Sequence, residues 1–147
     1  MAAKKPEGSV QPQEWIRRLR QSPYISGQHP VSARFIYSLR LVAIHRRAGR
    51  DPTAELATRL GSVAVAVKSL QLIEGLCRAW PEPINLNRFC CHALSHDEAT
   101  ISAMVDAAWR NRPGEFTDQL AGLMRPDRID RLWSDAIELV ASEAARA

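Results

Sequence analysis

The chain has 147 residues, 46% of them hydrophobic and 24% charged, the make-up of one globular domain able to bury roughly 70% of its unfolded surface without disulfides. No apolar run approaches the ~18 residues that a membrane span requires. The start, Met1 to Gly8, has charge without an apolar stretch behind it, unlike a secretory signal, and the odd cysteine count, three, points to the cytoplasm. The net charge of +4 is unevenly placed: residues 1–50 carry +8 and residues 51–147 carry −4. A basic first third attracts nucleic acid, anionic lipid or an acidic protein, or simply serves as a solvated tail and helix face.

In chain order, residues 1–12 hold Lys, Pro, Gly, Ser and Gln with little to bury and are expected to form a disordered basic tail. Residues 13–28 are expected to be a short amphipathic helix, Gln13 to Gln21, followed by a loop at Ser22-Pro23 and Ser26-Gly27. That helix sets Trp15, Ile16 and Leu19 against Arg17, Arg18 and Arg20, and its two turns are marginal without a docking surface. The remainder, 29–145, is expected to be the helical domain.

His29-Pro30 places proline in the first turn of a helix running to Arg47, expected to be central because Phe35, Ile36, Leu39, Val42 and Ile44 make it apolar around much of its circumference. Ala48-Gly49-Arg50 stops it, Asp51-Pro52 opens a short helix to Leu60, and Gly61 closes that one. Ser62 caps a helix to about Arg78 whose expected inner stripe is Val63, Val67, Leu70, Ile73 and Cys77. Trp80-Pro81-Glu82-Pro83 breaks it, and Ile84 to Phe89 reads as an extended connector. Ser95-His96-Asp97-Glu98 is a capping box before a helix with Ile101, Met104, Val105, Ala108 and Trp109 on one face. A helix from Glu115 to Met124 follows Arg112-Pro113-Gly114, and Asp127 is expected to cap the last, bearing Ile129, Leu132, Trp133, Ala136, Ile137 and Val140. The fold class is therefore all-α: a compact single domain of six to seven helices with a flexible basic N-terminal arm.

Three function classes compete. Trp15, Arg17, Arg18 and Arg20 form a basic amphipathic segment suited to docking on a larger protein partner, so the leading expectation is a non-enzymatic interaction or regulatory protein. The second is a nucleic-acid-binding protein. Ala57, Gly61, Val67 and Leu70 fit helix-turn-helix spacing, and Arg40, Arg46, Arg47, Arg50 and Lys68 supply phosphate-contacting cations. Against base reading, the positions that a helix-turn-helix would set against bases are Val63, Ala64, Val65, Lys68 and Ser69, which lack the Arg, Asn or Gln that pair with base edges. Arg46 and Arg47 are also explained by the dipole of the helix they end.

The third class rests on Cys90, Cys91, His92 and His96, a thiol redox or metal-binding cluster at the junction before the capping box. Adjacent cysteines in extended backbone point opposite ways, so one metal is poorly served by both. Buried small thiols beside a polar cap are the plainer reading, and exposure of Cys90 and Cys91 separates the two. No Gly-rich phosphate loop, G-x-S-x-G or H-E-x-x-H is present, so no enzyme activity and no cofactor is expected, apart from that alternative metal ion. The helix Ala33-Arg34-Phe35-Ile36-Tyr37-Ser38-Leu39-Arg40, the Asp51…Ala57…Leu60-Gly61…Val67…Leu70 helix pair, and Cys90-Cys91 followed by Asp97-Glu98 resemble an uncharacterised small all-helical family of alphaproteobacterial type, a domain of unknown function. The likeness covers roughly residues 33–110; it implies the fold and the pairing of Cys-Cys with Asp-Glu, and no activity.

Overall fold

The computed structural model describes residues 23–146, which form six α-helices and no strand. The expected tail and the helix from Gln13 to Gln21, with Trp15, Arg17, Arg18 and Arg20, lie outside the described residues. A 3₁₀ turn, Ile25–Gly27, leads into α1 (Pro30–Arg47), α2 (Thr53–Leu60), α3 (Val63–Ala79), α4 (His96–Trp109), α5 (Pro113–Leu120) and α6 (Pro126–Ala145).

α1 packs against the 3₁₀ turn, α2, α3 and α4. Its Pro30 occupies the first turn, and His29 Nδ1 accepts from the Val31 N–H at 3.2 Å. Phe35, Ile36, Leu39 and Val42 are buried as their spacing predicts, whereas Ile44 is exposed. α1 packs on α4, where Ser32 Oγ donates to the Ser102 carbonyl at 3.1 Å. α2 and α3 form a helix pair hinged on Gly61, whose φ of 69° is a left-handed conformation that glycine adopts without strain. Ser62 caps α3 by accepting from the Val65 N–H, whereas the N-cap position of α2 is Pro52, without a side-chain cap, and Asp51 before it accepts from both the backbone N–H and the hydroxyl of Thr53.

α3 and α6 run antiparallel, in a register set by Lys68 with Glu138, Gln71 with Asp135, and Arg128 with the Arg78 carbonyl. Gly75 lets the two approach closely: a Cβ there would lie 3.1 Å from Leu132 and 3.2 Å from the Asp135 carboxylate. This contact corrects the expected inner stripe of α3. Val65, Ala66, Ser69, Leu72, Ile73 and Leu76 face the core, while Val63, Val67 and Cys77 face outward. The helix is apolar on two sides, and its neighbours α2 and α6 choose between them.

Two boundaries also move. α5 starts at Pro113 and ends at Leu120, because Pro113 serves as its first residue and Gly122, at φ 84°, turns the chain before Met124. Asp127 lies inside the first turn of α6, next to Pro126, and the N-cap position is Arg125, which supplies no side-chain cap. Phe116 and Leu120 are buried as expected, Leu123 is exposed, and Phe116 meets Trp133 edge-on at 5.1 Å.

Candidate anion-binding surface

Arg40 is not a phosphate contact. Its side chain is 1% exposed and forms a two-pronged ion pair with Glu98, itself fully buried, at 2.7 and 3.0 Å. The Glu98 hydrogen bond holds the guanidinium more firmly protonated than usual, against the opposing cost of burial. The other N–H groups of Arg40 donate to the carbonyls of Arg88, Cys91 and Ala93 at 3.1, 2.8 and 3.0 Å, so the guanidinium is a hub around which the loop 88–93 is wound. Glu98 serves two purposes at once, since it also closes the capping box with Ser95 that the sequence predicts. An arginine among Leu39, Leu41 and Val42 was the one signal of this pairing, because a cation on a buried face requires an internal partner.

The same loop carries the cysteine and histidine cluster. Cys91 N–H closes a turn on the Arg88 carbonyl at 2.9 Å. Beyond it, Ile25 N–H donates to the His92 carbonyl and Leu94 N–H to the Pro23 carbonyl, both at 2.8 Å, a short antiparallel bridge between 23–25 and 92–94. Cys90 is exposed and Cys91 half-buried, and both are free thiols, as is exposed Cys77. The packing explanation for Cys90 is therefore corrected. His92 and His96 are also exposed. Among the described residues no three His, Cys, Asp or Glu side chains converge as a metal site, so Cys90, Cys91 and His92 in the loop and His96 at the start of α4 form no ligand set.

The remaining cations divide by position. Lys68 is tied to Glu138 at 3.3 Å, Arg50 is exposed beyond the end of α1, and Arg46 and Arg47 stand exposed in the last turn of α1. Arg46 reaches across to α3, 3.7 Å from Glu74 and 3.9 Å from Cys77 Sγ. With Arg47 it borders a groove of about 400 Å³ beside the C-terminal turn of α3.

The other flank of that turn holds a second cationic lining. Arg78 of α3 and Arg125, Arg128 and Arg131 at the start of α6 line a cavity of about 310 Å³, opposed by Asp127 and Asp135. Arg125, Arg128 and Arg131 recur every third residue, which stacks them along one face of the helix. Arg128 donates to the Arg78 carbonyl at 2.8 Å and so ties the end of α3 to the start of α6. Among the described residues Arg78 and Arg131 make no salt bridge. Burial raises the Asp135 carboxyl above its ordinary value, against a hydrogen bond from Gln71 and the attraction of Arg78 and Lys68. Sequence reasoning passed over these four arginines because residues 51–147 are acidic in total; the i, i+3 spacing of Arg125, Arg128 and Arg131 is a signal for three of them, and only packing adds Arg78.

The chain matches no model of a known protein family, no curated protein and no solved structure.

Proposed function

We propose that this domain binds nucleic acid through its phosphate backbone, at the end of the molecule where α3 finishes and α6 begins. One observation carries the reading: a concave surface of about 310 Å³ lined by Arg78, Arg125, Arg128 and Arg131 against only two carboxylates, Asp127 and Asp135. Guanidinium groups offer paired N–H donors that match phosphate oxygens, and a lining with net positive charge gathers anions by field as well as by contact. Arg46 and Arg47 extend the basic surface across the last turn of α3. Base reading has no support, since the exposed side chains on the first turns of α3 are Val63, Ala64 and Val67 and Lys68 is engaged by Glu138. The expected binding is thus tolerant of sequence.

Anisotropy titrations of labelled duplex and single-stranded oligonucleotides test it. Four phosphate contacts give a slope of roughly −3 to −4 in log affinity against log salt for duplex DNA. Arg125→Glu/Arg131→Glu, two substitutions at exposed positions, is expected to abolish binding at low salt while leaving the circular dichroism spectrum unchanged. Absence of binding at about 50 mM salt, or affinity indifferent to salt or to the double substitution, refutes the proposal.

A further inference from the structure

A third concavity lies elsewhere, between α1, α2 and the loop wound on Arg40, with a volume of about 310 Å³. Its floor is Leu41, Leu56 and Leu60, all buried side chains of α1 and α2. Two aromatic rings wall it: Tyr37, 40% exposed, and Phe89, with centroids 5.8 Å apart. Arg34 and Arg59 stand at the rim, and the Arg59 guanidinium lies 5.5 Å from the centre of the Phe89 ring.

Both the shape and the charge of this cleft are set in advance. Phe89 sits between Arg88 and Cys91, whose carbonyls Arg40 grips at 3.1 and 2.8 Å, so the aromatic wall is anchored to the buried ion pair. A ligand entering a wall already ordered does not bear the cost of ordering it. Arg34 is held by the buried carboxylate of Glu143, which also accepts from Arg146, and Arg59 by the half-exposed carboxylate of Glu55, which also meets His45. The charged side chains that line the cleft are therefore two arginines, Arg34 and Arg59, and its lining holds no carboxylate.

We propose that this cleft binds a small amphipathic carboxylic acid, with an apolar body of roughly ten heavy atoms on the leucine floor and one carboxylate at the arginine rim. Tyr37 and Phe89, in contact with each other, form one aromatic wall against the apolar body, and Arg59, 54% exposed, turns an N–H pair to the carboxylate. An alcohol of the same length fills the floor without using the rim, and an amine meets like charge there.

Isothermal titration of the full chain with decanoate, decanol and decylamine reads this directly. Saturable one-to-one binding of decanoate is expected, about tenfold or more tighter than decanol, with decylamine weakest. Arg59→Gln should remove the preference for decanoate over decanol and leave decanol binding unchanged. Tyr37→Ala should weaken both, and Arg125→Glu/Arg131→Glu should alter neither, because those residues line the other cavity. The inference is overturned if decanoate fails to bind, if decanol binds as tightly, or if decanoate affinity survives both Arg59→Gln and Tyr37→Ala in folded protein.

Discussion

Replacing Arg40 with methionine strikes the ion pair that organises the loop 88–93. With the side chains of Arg40 and Glu98 only 1% and 0% exposed, the substitution leaves a carboxylate buried without its counter-charge. Breaking such a pair from one side costs about 3–5 kcal/mol. The carbonyls released by Arg40 add little. Arg88 O retains the Cys91 N–H and Ala93 O retains Asn87 Nδ2, which leaves the Cys91 carbonyl as the one strongly bonded acceptor to lose its partner among the described residues. Unpairing it adds about 1 kcal/mol. Against a total stability of roughly 5–15 kcal/mol, the loss is a large fraction, and it corresponds to a fall in Tm of roughly 10–20 °C. Pairing the change with Glu98→Gln, which keeps an oxygen for the Ser95 N–H, should restore part of the loss, because no unpaired charge then stays inside. Urea denaturation followed by circular dichroism gives the stabilities, and amide hydrogen exchange gives the location, with residues 88–94 exchanging far faster while α6 changes in step with global stability alone. A loss below about 1 kcal/mol, or exchange in 88–94 no faster than elsewhere, refutes the assignment of Arg40 as the hub.

Two further outcomes follow from individual contacts. Gly75→Val drives a branched side chain into Leu132 and Asp135 and should destabilise by about 1–3 kcal/mol, whereas Gly114→Ala, which meets nothing within 4 Å, should stabilise by about 0.4–1 kcal/mol; chemical denaturation of both separates packing from helix propensity. Burial raises the Asp135 carboxyl, so the folded state holds its proton more tightly than the unfolded chain and ionisation opposes folding at neutral pH. Asp135→Asn should therefore raise the urea midpoint at pH 7, by an increment that vanishes as pH falls below the ordinary carboxyl value of about 3.9; a gain that persists at lower pH would point to some other cause.

Local chemistry in the sequence accounts for much of the architecture. Pro30 at a first turn, Gly61 past a helix end, Ser62 at a cap and the Ser95 to Glu98 box all sit where predicted, since each depends on backbone donors within a few residues. The errors share a cause as well. Pro113 and Pro126 read equally well as stops and as starts, and the start prevailed at both. The inward face of α3 was misjudged because valines lie on both sides of it.

The functional surfaces were less legible because each is assembled across elements. Arg40 looks like any other arginine of a basic segment until Glu98, 58 residues later, is packed against it. Arg78 and Arg131 belong to a region of net negative charge, yet the antiparallel contact of α3 with α6 turns them toward one cavity. The cleft walled by Tyr37 and Phe89 draws on two helices and a loop, and no window of sequence contains it.

Taken alone, the order of apolar positions, caps and breakers along the chain determined that it is helical and where most helices begin, because those choices are made by hydrogen bonds and side-chain entropy over one or two turns. Which charges are buried, which face of an apolar helix turns inward, and which arginines share a cavity were decided only by tertiary packing. Desolvation and Coulomb energy depend on distance in space, and residues far apart in the chain set those distances.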